Sequence, residues 1–459
     1  MEHSNLTQSV DLTEEVVRAF KEKHGTRALL PGDEKYEAAR KIWNGMIDKK
    51  PTLIVQCQDK TDVINAVNLA RAHNIPIAIK SGGHNVSGNA VCNQGVMIDL
   101  SQMKSIKVDP EKKIAVAEAG ITWGEFDAAT QKHGLATTGG LISTTGVAGL
   151  TLGGGVGWLV RKHGMSCDNL IEAEIVTADG KILKANVNEN PELLWGIRGG
   201  GGNFGVVISM TFKLYKVETV LGGMIIHPQD KAKEVIKFYR DFMKTAPHEI
   251  TLYSALLTSP EGFPIVAILG CYCGDITTGE EIIKPIRQFG SPIADMFQPM
   301  PYQQLQTMLD AGFPHGNRYY WKSSFLKDLS DDAIDVIVSN AASVSSPFTG
   351  IVIEFYGGAS NQEPEGGASY PHRENEFDLV IISNWPDRDN DEKNISWTRK
   401  FYDEMQAYSS HRVYVNALGV EGADRVREAY GTNYQRLAKL KSKYDPQNLF
   451  RYNQNISPE

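Results

Sequence analysis

Glycine placement constrains this chain more than any other feature. Eight of the nineteen residues from Gly139 to Gly157 are glycine, and a second cluster fills Gly199 to Gly205. A third, shorter turn, Ser81-Gly82-Gly83-His84, closes the strand-like run Ile75-Pro-Ile-Ala-Ile79. Glycine runs give up chain entropy. In return their main-chain N–H groups can face an anion with no Cβ in the way. A pyrophosphate, with many acceptor oxygens, suits such groups. Tight turns between closely packed strands are the alternative for any one segment. Three segments in 125 residues, each beside a strand, favour a nucleotide cofactor.

Gly200-x-Gly202-x-x-Gly205 matches the dinucleotide fingerprint as a string. That fingerprint needs a strand before it and a helix after it. Here a short helix with proline at its start, Pro191 to Ile197, comes before, and the β-branched strand Val206 to Leu214 follows. The order excludes a Rossmann fold. No Gly-Lys-Ser/Thr follows any glycine run, which excludes a Walker A loop.

With 459 residues the chain has room for about two to four domains, and it can bury a large core without disulfides or metals. Apolar residues make up 41% and charged residues 22%, which excludes a disordered chain. The net charge is −8 and no basic run exists, so nucleic acid is not an expected partner. No segment approaches the roughly 18 apolar residues of a membrane span. Met1 to Glu15 is polar and acidic, unlike a signal peptide. The expectation is a soluble, cytoplasmic protein with no membrane partner. Five cysteines, an odd number, argue against a disulfide framework. Cys271 and Cys273 read as strand neighbours. None of the eleven histidines has zinc spacing, so no metal site is expected.

Asp11-x-x-Glu14 suggests a capping box for a helix ending near Gly25. Thr52–Val55 reads as a strand and Asp59 to Asn74 as a helix with Val63, Ala66, Val67 and Ala70 on one face. Strands are expected at Val96–Leu100 and Lys113–Ala117, and Thr122-x-x-Glu125 opens a helix to about His133. Ile171 to Lys184 reads as a hairpin turned at Asp179-Gly180. Beyond about Val217 glycine thins out. Amphipathic stretches (Lys231–Lys244, Asp331–Ala342) then alternate with strand-like runs (Ile265–Tyr272, Gly350–Phe355). Asn361 to Pro371 reads as a loop. The end, Arg412 to Pro458, should hold a strand, a helix over about Gly422–Tyr444, and a tail. His84 is the sharpest single residue, because Gly82-Gly83 would bring its imidazole against a ligand.

Six segments carry a family likeness: Lys80-Ser-Gly-Gly-His84, Gly120-Ile-Thr-Trp-Gly-Glu125, Thr144-Thr-Gly-Val-Ala-Gly149, Leu152-Gly-Gly-Gly155, Trp195 to Gly205, and Tyr444 to Ile456. Together they resemble the berberine bridge enzyme-like oxidases, FAD-linked oxidoreductases of the vanillyl-alcohol oxidase superfamily. The likeness runs from about residue 30 to 458 and is weakest in the middle. It implies an α+β fold: a two-subdomain PCMH-type FAD-binding lobe plus a substrate lobe with a large antiparallel sheet backed by helices. Residues 1–217 would be the FAD-binding domain and 218–404 the substrate-binding domain, with 405–459 returning to the first.

The same resemblance implies FAD contacts in three groups. The first is Ile79, Lys80, Ser81, Gly82, Gly83, Asn85, Ser87 and Gly88. The second is Gly139, Gly140, Leu141, Thr144, Thr145, Gly146, Gly149, Gly153 and Gly154. The third is Gly205, Val206, Val207, Tyr452, Asn453 and Asn455. It implies an oxidase that takes a hydride to flavin N5 from an alcohol, sugar or secondary-metabolite carbon and passes the electrons to O2, giving H2O2. A dehydrogenase on the same scaffold, or a flavin-binding protein without turnover, are the alternatives.

His84 matches the position that carries FAD covalently through its 8α-methyl carbon. The attacking imidazole must be neutral and held close. Many members add a cysteine link at flavin C6; the matching stretch here, Leu141-Ile142-Ser143, has no cysteine, and Cys167 lies about 25 residues later. Attachment through His84 only is therefore expected. The catalytic base is less defined. The family's Tyr-x-Asn-Tyr segment reads Tyr414-Val-Asn416-Ala417. A tyrosine with a pKa near 10 is a poor base unless a cation lowers it, and Lys322 or Arg373 would be that cation. Glu354 is the other candidate. Thr145 matches a position near flavin C4a, where the usual side chain is aliphatic. Tyr320, Trp321, Tyr356 and Arg373 are expected on the small-molecule substrate side.

Overall fold

The computed structural model describes residues 13–374 and 377–459. Its first sheet has four strands in the order Ala28–Leu29, Leu53–Gln56, Val96–Asp99, Ile77–Lys80. The last three are parallel. The helix Lys60–Ala72 makes the crossover; Asp59 caps it by accepting from Thr61 N at 2.7 Å and Asp62 N at 3.2 Å. It buries Val63, Ala66, Val67 and Ala70, the apolar stripe that the spacing predicts. This β-α-β unit delivers the Gly82-Gly83-His84 turn at the end of its edge strand.

A second, antiparallel sheet has five strands: Ile106–Asp109, Ile114–Glu118, Val206–Lys213, Leu170–Val176, Ile182–Asn186. The hairpin expected at Asp179-Gly180 forms here. The box at Thr122 also forms, with Glu125 accepting from Thr122 N at 2.9 Å. A third, eight-stranded antiparallel sheet fills the middle of the chain. Its centre runs Thr219–Pro228, Pro264–Tyr272, Ile250–Thr258, Gly350–Phe355, Phe377–Trp385, Arg318–Leu326.

Alternation along these strands decides which side chain faces what. Ile351, Ile353 and Phe355, and likewise Phe377, Leu379 and Ile381, pack on the helix layer of Ala232–Thr245, Asp331–Ala341 and Asp391–Met405. Their neighbours Val352, Glu354, Val380 and Ile382 face the other way, into a cavity. The last segment packs into the core of the first two sheets: Val413, Val415, Tyr430, Leu437 and Phe450 share one cluster with Val55, Ile98, Trp123 and Val207.

Three expectations change. Asp11 lies outside the described residues; the helix Glu14–His24 is capped by Thr13, whose hydroxyl accepts from Val16 N at 3.4 Å. No ladder strand forms after Arg412. That stretch instead lines the end of strand Arg318–Leu326, through Phe325 N to Arg412 O (3.1 Å) and Ser410 N to Phe325 O (2.8 Å), and then makes a 3-10 turn at Val415–Ala417. The long C-terminal helix is two, Gly422–Tyr430 and Tyr434–Tyr444, because Gly431 adopts φ 49° and ends the first. Among the described residues no helix is long and apolar enough to cross a membrane, and no His/Cys/Asp/Glu group could hold a metal ion.

Candidate active site

A cleft of about 1220 Å³ opens where the glycine segments meet. The 77–85 stretch lines it with Ile79, Ser81, Gly82, Gly83, His84 and Asn85. Thr145, Gly146, Gly149 and Gly153 line it as well, together with Gly205 and Val207 and, from the tail, Tyr452 and Asn453. Glycine serves two purposes here. A Cβ on Gly82 would lie 2.3 Å from Gly146 N, so those two segments touch backbone to backbone. A Cβ on Gly149 or Gly202 would meet no protein atom; at these positions glycine keeps cleft space free. Gly83 has φ 71°, and among the described residues the N–H groups of Gly83, His84 and Asn85 find no protein partner. Such a turn forms an anion-binding nest. Among the tail residues that line the cleft, Asn453 Oδ1 is buried without a hydrogen bond; Asn455 Oδ1 is orphaned too, but Asn455, expected at the flavin, is not part of the cleft lining. A long, bent dinucleotide with a central pyrophosphate fits these features: open backbone, unpaired donors and an orphaned amide oxygen.

His84 stands at the inner wall. Its ring stacks on Trp43 (4.9 Å between centroids), and Trp43 stacks on Tyr319 (3.6 Å). Nε2 lies 2.8 Å from Thr144 Oγ1 and Nδ1 lies 3.4 Å from Thr145 Oγ1. Desolvation, and then His315, lowers its pKa to about 3, so the imidazole is neutral across the physiological range.

Several expected contacts lie elsewhere. Lys80 Nζ turns away from the cleft, 2.8 Å from Ala39 O and 3.4 Å from Asp99. Ser87 donates to Asn85 Oδ1, and Gly88 takes φ 74° over Ile47. Gly139 packs on Trp123, Val206 faces the core, and Gly154 sits between Tyr370 and Tyr414. Thr144 reaches the cleft only through His84. Conversely Gly202, Asn416, Tyr430 and Gln454 line the cleft without having been singled out as contacts. Gly202 sits in the glycine string, Asn416 in the Tyr414-Val-Asn416-Ala417 segment and Gln454 in the Tyr444 to Ile456 segment; for Tyr430 no residue pattern gives a signal.

A second cavity, about 1060 Å³, lies between the cleft and the eight-stranded sheet. Thr145, Leu150 and Asn416 belong to both, so they form the shared wall. Gly140 and Leu141, expected at the flavin, line this second space. Among the expected catalytic and substrate residues, Glu354, Tyr414 and Trp321 face it.

Glu354 sits directly across the ladder from Asp378. Tyr356 OH lies 2.7 Å from Glu354 Oε2 and 3.3 Å from Asp378 Oδ2. Ser323 donates to Asp378 Oδ1 at 2.8 Å. Burial, and next the neighbouring carboxylate, raises Glu354 to about 8. Burial likewise raises Asp378. Tyr356 therefore acts behind Glu354 and does not line the cavity.

Tyr414 OH accepts from Gly155 N–H and from Asn416 Nδ2, each at 2.8 Å. Burial raises its pKa, and neither expected cation is near. Lys322 points to the opposite face of its strand, 3.0 Å from Glu421 and over the Tyr402 ring. Tyr320 shares that face and bonds Arg399 at 3.1 Å. Both expectations fail for one reason: Trp321, between them, takes the cavity side. Arg373 fails differently; it is bidentate to Asp168 at 2.8 and 2.6 Å, a structural pair. Tyr414 is thus a phenol at neutral pH, and Glu354 is the carboxyl of this cavity whose pKa burial raises to about 8. Of the stretch Leu141-Ile142-Ser143, Leu141 and Ile142 line the second cavity and Ser143 bonds Asp310, while Cys167 is buried beside Asp168.

A nucleotide-shaped cleft between two α+β subdomains, joined to a cavity over an antiparallel sheet, defines an FAD-linked oxidoreductase. Residues 51–186 match the FAD binding domain family model, and 413–457 match the berberine and berberine-like model. An FAD-linked oxidoreductase of Dictyostelium discoideum is 34% identical over 97% of both chains. The solved 6-hydroxy-D-nicotine oxidase of Arthrobacter nicotinovorans superposes with a TM-score of 0.87 at 27% identity, covering 94% of this chain and 98% of that one. Physcomitrella patens BBE-like 1 also gives 0.87, at 24% identity, over 96% and 99%. The chain belongs to the berberine bridge enzyme-like family of FAD-linked oxidoreductases.

Proposed function

We propose that the protein is an FAD-dependent oxidase, with FAD held covalently through His84 alone, that oxidises a small-molecule alcohol or amine. One observation carries the reading: a carboxyl with a pKa near neutrality, Glu354, faces a substrate-sized cavity that shares its wall with the FAD cleft. When bound, FAD supplies the two-electron acceptor and the path of those electrons to O2, giving H2O2. His84, neutral and clamped between Trp43 and the two threonines, has the protonation state that attachment requires. Asn453 would hold one end of the cofactor, and the unpaired N–H groups of the 83–85 turn its pyrophosphate.

In the second cavity Glu354 takes the proton of the substrate O–H or N–H. Its raised pKa suits that role near pH 7 to 8. Tyr414 donates a hydrogen bond, its oxygen already committed to two donors. The apolar walls exclude water while the proton moves. The oxidase relative at 27% identity supports O2 as acceptor. Purified holoprotein and a substrate, followed with an oxygen electrode, test this. Stoichiometric O2 uptake with H2O2 is expected; flavin bleaching without O2 uptake would make it a dehydrogenase.

A further inference from the structure

The wall of the second cavity is unusual for an enzyme that handles carbohydrates. The sheet contributes Leu257, Leu269, Val352, Val380 and Ile382, and Phe313 closes one side. Polar atoms are few. Glu354, Tyr414 and Asn416 lie together towards the wall shared with the cleft. Tyr253 OH and Trp321 Nε1 are buried without a hydrogen-bond partner, and both residues line the cavity. Among the described residues no lysine or arginine lines it; Lys322 and Arg373 are engaged elsewhere.

A hydroxyl moved from water onto such a wall without a partner loses its hydrogen bonds and is penalised. A hexose or a disaccharide would bring many such groups and find few partners. An apolar ring system instead gains by removing its surface from water. The absent cations also remove any means of holding a carboxylate or phosphate. The carboxyl accepts one O–H or N–H, and the two orphaned atoms leave room for one further polar substituent.

Resting on the oxidase reading above, we propose that the substrate is a compact, uncharged or basic, ring-containing apolar molecule with its single oxidisable hydroxyl or amine at Glu354, and that mono- and oligosaccharides are not substrates. Specificity then resides in Val352, Val380 and Ile382, the sheet positions flanking Glu354 on its face.

The test is binding to the holoprotein, read by tryptophan fluorescence, with 2-naphthylmethanol and 2-naphthylmethylamine as apolar probes and cellobiose as the sugar. Saturable quenching by at least one naphthyl probe and none by cellobiose is expected. Trp321→Phe should abolish most of the quench, which locates the probe. Val352→Thr, nearly isosteric, should weaken the naphthyl probe about fivefold to tenfold by adding a hydroxyl to the wall. Its FAD content and circular dichroism should match the wild type. Saturable cellobiose binding, or no binding of either naphthyl probe, overturns the proposal, as does an unchanged affinity in Val352→Thr. The oxidase reading fails separately: bound alcohol or amine that never bleaches the flavin anaerobically would sink that reading and leave the substrate-shape inference standing.

Discussion

Asp378→Asn should move the pH profile of turnover to lower pH. Asp378 and Glu354 are directly opposed residues on neighbouring strands, both facing the cavity side. At about 6 Å and an effective dielectric near 20, two carboxylates repel by about 2.8 kcal/mol, or about two pKa units at 1.36 kcal/mol per unit. Burial is the larger cause of the rise from 4.5 to about 8, so the share of Asp378 lies below that ceiling, at about one unit. Glu354 stands at about 8, with burial the larger cause and Asp378 the next. Removing the neighbouring charge therefore lowers it towards about 7 and leaves the burial contribution in place. The limb of kcat/KM that rises as the base deprotonates should shift down by about one unit. Tyr356→Phe should shift the same limb up, because its hydroxyl stabilises the charged form of Glu354. Oxygen-electrode measurements between pH 5.5 and 10 read both. Opposite shifts in the two variants are the signature; a limb that moves in neither refutes Glu354 as the base.

Gly202→Leu should leave a folded protein that cannot retain FAD, since its side chain enters only the cleft, whereas Gly82→Ala should fail to fold because its Cβ meets Gly146 backbone; flavin absorbance and circular dichroism separate the two. Glu354→Gln should raise Tm relative to wild type above pH 8 and lose that advantage below pH 5. A carboxyl with a folded pKa above its unfolded value gives up stability as pH rises through the folded value. Lys322→Met should leave the pH limb unmoved and cost only stability, because the amine pairs with Glu421 on the far face of the sheet. Trp43→Ala should lower the fraction of protein carrying covalent flavin several-fold, through loss of the ring that clamps His84.

Glycine placement in the sequence marks the cleft, whereas no pattern in it orders the second cavity, and the reason is physical. A glycine that must admit a ligand or another backbone cannot be replaced by pattern, so Gly82, Gly146 and Gly149 announce the cleft. The β-α-β unit ahead of His84 shows a helical period on one face. The middle sheet is buried on both faces, and strand Phe377–Trp385 is buried at every position. Alternation in hydrophobicity then vanishes, and nothing in the letters says which face Lys322, Trp321 or Glu354 takes. Tyr320 and Lys322 were misplaced by that one-residue parity. Asp378 escaped notice for the same reason, since a buried carboxylate in an apolar strand gains its meaning only from Glu354 across the ladder. The break at Gly431 hid inside an otherwise continuous helical period.

The most direct test of the account is acid precipitation of the purified protein followed by mass mapping of the pellet. Wild type should give a yellow pellet, with FAD on the tryptic peptide Ser81–Lys104 and fragment ions placing it on His84. His84→Ala should give a colourless pellet and a flavin-coloured supernatant. Flavin released from the wild type, or found on Cys92 of the same peptide or on any other cysteine, would contradict the single histidyl attachment on which the reading of this cleft depends.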